Sequence, residues 1–149
     1  MECRVLPEPR TQELYDTFFV EVVSALADDR VFADGSWSFR DDNRDAINEF
    51  RPGTQSLTHY FNAGDLITAS LRWDDTWGAA CADYDLELFS PSGALVRASR
   101  DLQDCSGSPV ESVQVLATES GNYSARVIRG NAADPRRLDL IFVGRAKPE

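Results

Sequence analysis

Apolar and polar residues alternate along most of the chain from about residue 57 onward. In residues 65–73, four apolar side chains lie two positions apart, with Thr68, Ser70 and Arg72 between them. A side-chain period of two is typical of a half-buried β-strand. The residues expected to face the core of the strands are Ile67, Ala69, Leu71, Trp73, Tyr84, Leu86, Leu88, Val113, Val115, Tyr123, Ala125, Val127, Leu138, Leu140 and Phe142.

Turn sequences separate these strands. Pro91-Ser92-Gly93 and the stretch 119–122, Glu-Ser-Gly-Asn, both contain residues that favour tight turns. About seven or eight short strands broken by turns are typical of a sandwich. The pattern therefore predicts an all-β fold, a jelly-roll-like antiparallel β-sandwich over residues 57–149.

The first part of the chain has a different pattern. Residues 11–27 place apolar side chains at helical spacing, and Thr11 is a suitable cap, so we expect an amphipathic helix there. The run 18–23 is rich in β-branched and aromatic residues, which leaves a strand open. We therefore expect a helical extension over 1–30, followed by an irregular connector over 31–56.

A series of short motifs in the β region resembles a known family. The motifs, in order, are Phe61–Ile67, Trp73-Asp74-Asp75, Asp83–Leu88, Ser90–Gly93, Pro109-Val110-Glu111 and Gly121-Asn122-Tyr123. This order resembles the bacterial pre-peptidase C-terminal domain, the C-terminal β-sandwich of subtilisin-like serine peptidases. Two positions depart from the family pattern: Tyr84 replaces a usual leucine, and Ser108 replaces an aspartate.

The resemblance implies a secreted domain attached to an exported enzyme. Such a domain would be a non-catalytic accessory that supports stability, secretion or substrate engagement of its parent peptidase, and some family members bind calcium. The alternative is an independent sandwich module that binds carbohydrate or protein.

Net charge narrows the classes of partner. The chain carries a formal charge of −10 at pH 7, which repels phosphate backbones and anionic membranes. We therefore expect no nucleic-acid partner. No apolar run reaches the roughly 20 residues needed to cross a bilayer, so we expect no membrane insertion. No basic-then-apolar signal opens the sequence, so we expect a secreted product to have lost its signal or to be a fragment of a longer chain.

Several acidic residues fall at predicted strand ends. If consecutive strands run up and down in turn, these ends share one edge of the sandwich, and carboxylates crowded there would need a cation. Carboxylate oxygens are the ligands that Ca²⁺ prefers. The alternative is that they are turn aspartates that accept backbone amides. The candidate calcium ligands are Asp74, Asp75, Asp83, Asp85 and Asp104.

The chain has three cysteines, and two of them flank a predicted hairpin. Cys81 precedes its first strand and Cys105 follows its second, so a disulfide between them is plausible and would close a loop worth roughly 3 kcal/mol in the chain-entropy model. Two independent thiols are the alternative. Cys3 is left without a predicted partner.

The sequence offers no catalytic residue that we can name. His59, the single histidine, lies within a predicted strand and has no nucleophile motif beside it, so a structural role at the sandwich rim is expected. Trp77 lies in a glycine-containing loop. It is a candidate binding residue that could stack on a sugar or grip a peptide, unless it folds back over the core edge.

Overall fold

The computed structural model describes residues 2–5, 20–24, 37–131 and 136–145. The chain divides into two compact units, Met1–Ala33 and Asp34–Glu149.

In the first unit, the described residues form one antiparallel pair of strands, β1 (Glu2–Val5) and β2 (Val20–Ser24). The helix predicted over residues 11–27 is therefore wrong at residues 20–24, and the rest of it lies outside the described residues. Three of the five residues in β2 are valines, whose branched side chains lose rotamer freedom in a helix and fit a strand.

The second unit contains two four-stranded antiparallel sheets. Sheet I has the strand order β3-β10-β5-β8, and sheet II has the order β4-β9-β6-β7. No helix occurs among the described residues, so the predicted all-β sandwich is confirmed, and none of that part of the chain forms a helix long and apolar enough to span a membrane. The strands are β3 (Trp37–Ser38), β4 (Leu57–Phe61), β5 (Leu66–Trp73), β6 (Tyr84–Phe89), β7 (Leu95–Ser99), β8 (Val110–Leu116), β9 (Gly121–Arg129) and β10 (Arg137–Arg145).

The connections between strands mostly cross from one sheet to the other. Among the described strands of the second unit, β6 and β7 are the one consecutive pair that forms a hairpin, as the sequence predicts. The links from β5 to β6 and from β7 to β8 each change sheet. Strands β5 to β8 therefore do not form one up-and-down sheet. The loop between β5 and β6 nevertheless meets the loop between β7 and β8, because Ala80 forms a bridge with Gly107.

The core lies between the sheets and contains the residues that the alternation predicts. Trp73 is 5% exposed, and Val115, which is partly buried, packs against the core. The other predicted core residues are buried. Burial of these apolar side chains is the main driving force for folding of the unit.

Tyr84 contacts two other aromatic residues in this core. Its ring lies 5.4 Å from that of Phe39 and 5.3 Å from that of Trp73. The hydroxyl oxygen accepts a hydrogen bond from the backbone amide of Arg136 at 3.1 Å. A leucine at this position could not accept that bond.

The segment 37–56 packs onto the sandwich. Phe39 is 5% exposed within the core, and β3 pairs with the start of β10. Ile47 forms a bridge with Ile128, and the amide of Asn48 donates to the carbonyl of Val127 at 2.8 Å.

Candidate functional site

The loop between β5 and β6 is organised around Asp75. The carboxylate of Asp75 accepts the backbone amides of Thr76 at 2.7 Å, Cys81 at 3.0 Å and Ala82 at 2.9 Å. The hydrogen bond from the Ala82 amide is the main cause that lowers the pKa of Asp75 below its usual value, and the guanidinium of Arg136, 3.8 Å away, acts in the same direction. Asp75 is therefore a charged cap that fixes both ends of a tight loop.

A disulfide fixes the same loop to a second one. Cys81 and Cys105 are bonded, which confirms the predicted pair. The amide of Cys105 donates to the carbonyl of Ala80, and the amide of Ala80 donates to the carbonyl of Gly107, each at 2.8 Å. Residues 74–82, here called the Trp77 loop, are thus held by a covalent bond and by backbone pairing.

Trp77 projects from this loop into solvent. Its side chain is 63% exposed, so it does not cover the core edge. It lines an open cleft of about 370 Å³, together with Arg72, Trp73, Asp74, Arg137 and Asp139. A large exposed aromatic on a fixed loop is a typical anchor for ligands.

Residues of both charge signs line the cleft beside Trp77. Arg72 on β5 and Asp139 on β10 are direct neighbours across the sheet, and their charged atoms lie 3.8 Å apart. Asp74 accepts the amide of Arg137 at 2.8 Å, which brings the start of β10 to the cleft. The cleft thus combines hydrogen-bond donors and acceptors with the apolar surface of the indole.

The sequence pointed to Trp77 but not to its charged neighbours. Arg72 and Asp139 lie at outward-facing positions of predicted strands, so their exposure could be read from the alternation. Their adjacency depends on the pairing of β5 with β10, for which the sequence carries no local signal.

The predicted calcium ligands mostly accept hydrogen bonds from the protein itself. Asp74 and Asp75 accept backbone amides as described, Asp83 accepts the amide of Gln103 at 3.1 Å, and Asp104 accepts the hydroxyl of Ser106 at 2.5 Å. Within the described ranges, no group of three or more His, Cys, Asp or Glu side chains is arranged to hold a metal. Calcium binding stays a prediction.

Asp85 lies within β6, beside the loops rather than in them. Burial raises the pKa of its carboxyl group, and the nearby charge of Asp83 adds to this effect.

Glu111 and Gln103 form a buried polar pair that the sequence analysis missed. Glu111 is only 1% exposed and accepts the side-chain amide of Gln103 at 2.8 Å. The sequence did indicate this burial, because Glu111 lies two positions before Val113 and four before Val115 on β8. It therefore points to the same inward face as those two valines.

His59 lies on β4 against aromatic rings. Its ring is 4.9 Å from that of Phe61 and 6.4 Å from that of Phe142. These contacts fit the structural role expected for it.

A second cavity of about 510 Å³ lies beside β9 and is lined by Phe39, Asp41, Arg44, Ala46 and Arg129. The guanidinium of Arg129 lies over the Phe39 ring and 3.4 Å from Asp41. Arg129 and Asp41 are thus engaged with groups of the protein itself, and Phe39, the aromatic residue in the described lining, is buried.

Comparison with known proteins leaves the family open. No protein-family model matches the chain. The chain is similar to the uncharacterized protein YddH of Escherichia coli (strain K12), with 46% identity over 69 residues. The matched segment covers 46% of this chain and 34% of YddH, so the chain spans about a third of the length of that relative.

Proposed function

We propose that this chain is a non-catalytic β-sandwich module of an exported protein and that it binds a carbohydrate chain in the cleft at Trp77. The observation that carries the proposal is the exposed indole of Trp77 on a loop fixed by the Cys81–Cys105 disulfide and by Asp75. Most connections of the module cross between the sheets, which supports the jelly-roll-like order predicted from the sequence.

A fixed loop favours binding because little conformational freedom remains to be lost. Ordering a flexible side chain or loop on association costs about 0.5–1.5 kcal/mol per rotamer-rich side chain. The Trp77 loop is already constrained in the free protein, so stacking against Trp77 incurs less of this cost.

The chemistry around Trp77 suits a sugar. A pyranose ring has an apolar C–H face that can stack on an indole and hydroxyls at its rim that both donate and accept hydrogen bonds. Arg72 can donate to such hydroxyls, and Asp139 can accept from them, because the two groups lie side by side on neighbouring strands. The charge of −10 disfavours strongly anionic polysaccharides.

The experiment compares Trp77→Ala with Tyr60→Ala by isothermal titration calorimetry. The probes are soluble cello-, xylo-, manno- and chito-oligosaccharides. Tyr60 is a matched control because it is 56% exposed but lies on β4 of sheet II, outside the cleft. We expect one sugar class to bind the native chain, with affinity reduced about tenfold or more in Trp77→Ala and unchanged in Tyr60→Ala.

Two results would contradict this proposal. One is the absence of binding to every oligosaccharide tested by a correctly folded native chain. The other is unchanged sugar affinity in Trp77→Ala, which would show that the sugar binds at a site that does not include Trp77.

A second candidate is an accessory role in an exported subtilisin-like peptidase. The order of sequence motifs from Phe61 to Tyr123 favours it, and the disulfide is compatible with an oxidising compartment outside the cytosol. The test is to read the coding sequence adjoining this chain and to express any catalytic domain found there with and without the module. Reduced secretion or substrate cleavage without the module would support the role, and equal yield and activity would oppose it.

A further inference from the structure

Two buried side chains, one in the loop that follows β7 and one at the start of β8, have oxygen atoms without hydrogen-bond partners. Glu111 is 1% exposed, and Gln103 is 2% exposed. Oε1 of Glu111 accepts the side-chain amide of Gln103 at 2.8 Å and the backbone amide of Asp101 at 3.1 Å. In contrast, Oε2 of Glu111 and Oε1 of Gln103 have no hydrogen-bond partner among the described residues.

Both oxygen atoms are buried acceptors that lack a hydrogen-bond donor. A buried acceptor without a partner costs about 1–3 kcal/mol, and a buried charge without one costs more. A protonated carboxyl group has a hydroxyl that donates, so one proton on Glu111 can satisfy its own Oε2 and Oε1 of Gln103 together. A carboxylic acid and a primary amide then form two parallel hydrogen bonds, of which the structure already contains one.

We propose that Glu111 is a neutral carboxylic acid in the folded protein, that its Oε2–H donates to Oε1 of Gln103, and that this pair locks the loop after β7 until the acid ionises.

The charges around Glu111 favour the neutral form. Burial raises the pKa of Glu111, and the negative charge of Asp101 adds to it. The nearby hydroxyl of Ser99 and the side-chain amide of Gln103 act in the opposite direction, although the Ser99 hydroxyl does not complete a hydrogen bond to Oε2 of Glu111. The nearest basic residue along the chain, Arg100, is bonded to Glu87. No ion pair of Glu111 occurs in the part of the chain that the structure describes.

The pair is connected to the Trp77 loop through covalent and hydrogen bonds. The backbone amide of Gln103 donates to Asp83 at 3.1 Å, immediately before β6. Gln103 also lies two residues before Cys105, which is bonded to Cys81. Ionisation of Glu111 would therefore loosen the segment that anchors the Trp77 loop. This inference does not depend on the proposed ligand.

The direction of the pH effect follows from the raised pKa of Glu111. Between the ordinary pKa of an unfolded glutamate and the higher folded value, the folded state holds a proton that the unfolded state lacks. The ratio of folded to unfolded protein therefore falls as pH rises through this window, by at most about tenfold per pH unit, and levels off above it. Below the window this contribution to stability is fully present.

The experiment measures urea unfolding of native chain, Glu111→Gln and Glu119→Gln from about pH 5 to about pH 8. Glutamine at position 111 supplies an N–H where the acid supplies O–H, so we expect Glu111→Gln to fold, to equal or exceed native stability at the upper pH, and to lose the pH-dependent fall. Glu119 is exposed, so Glu119→Gln removes one charge elsewhere and should keep the native pH profile.

The proposal is overturned if Glu111→Gln is less stable than the native chain at every pH and if its stability still falls with rising pH as in the native chain. If Glu111→Gln does not fold, carbon-13 NMR of the native chain gives the answer directly. A Glu111 carboxyl that titrates near the ordinary glutamate value of about 4.3 refutes the neutral acid, and one that titrates clearly higher supports it.

Discussion

At the scale of single residues, the contact between Gly144 and Phe61 joins the two sheets. Gly144 lies on β10 of sheet I, and the ring of Phe61 on β4 of sheet II occupies the space where a Cβ would stand. Phe61 is itself held by rings of Phe142 and Tyr123, with centroids 5.3 Å and 6.0 Å away. The absence of a side chain at residue 144 therefore lets an aromatic ring close this end of the core.

Replacing Gly144 by alanine should destabilise the sandwich. The added methyl group would overlap the Phe61 ring, and overpacking of this kind typically costs about 1–3 kcal/mol. Gly107→Ala is the control, because its Cβ would meet only Cγ of Gln103 at 3.7 Å, an ordinary contact. The free energies of unfolding in urea check the prediction, and equal values for the two variants would contradict it.

At the scale of elements, the Trp77 loop is ordered by polar and covalent interactions in addition to the burial of Ala80 and Ala82. Asp75 caps its amides, and the disulfide joins it to the loop that follows β7. Sheets I and II supply the strands on either side of this junction. The geometry of the Trp77 loop therefore depends on a disulfide between two loops, one that links β5 to β6 and one that links β7 to β8.

Removing the disulfide should loosen the Trp77 loop and lower overall stability. For Cys81→Ala combined with Cys105→Ala, we expect a loss of roughly 3 kcal/mol, because the bridge closes a loop with a sequence separation of 24. Amide hydrogen exchange should become faster from Thr76 to Ala82 and remain slow in β5. Cys3→Ser serves as the control, and unchanged exchange in the double variant would show that Asp75 alone fixes the loop.

At the scale of the whole molecule, the excess of acidic groups opposes compaction. A charge of −10 on 149 residues produces self-repulsion that salt screens, since the Debye length shortens as ionic strength rises. Added salt should therefore raise the melting temperature even without a specific ion site.

The calcium hypothesis predicts an effect beyond screening. After treatment with a chelator, CaCl₂ should raise the melting temperature more than MgCl₂ at the same ionic strength, because the larger ion accepts more carboxylate and carbonyl ligands. Scanning calorimetry measures the difference, with Asp104→Asn and Asp139→Asn as paired variants inside and outside the predicted ligand set. Equal shifts with the two salts would exclude a specific calcium effect.

The burial pattern, the turns and the disulfide could be predicted because their signals are local or depend on one hairpin. Alternation assigned the inward side chains of β5, β6 and β9 correctly, and the hairpin of β6 and β7 placed Cys81 and Cys105 together. Local patterns were less decisive at residues 20–24, where apolar spacing fits a helix but β-branched side chains pair as a strand.

The sequence by itself determined that the second unit is a sandwich with a particular set of buried residues, because side-chain direction in a strand follows from neighbouring positions alone. Only the tertiary structure decided which strands are neighbours. That pairing placed Arg72 beside Asp139 at the Trp77 cleft and buried Glu111 against Gln103. Such contacts join residues from separate strands and loops, and their energies are set by burial and hydrogen bonding that exist only after the sheets have packed.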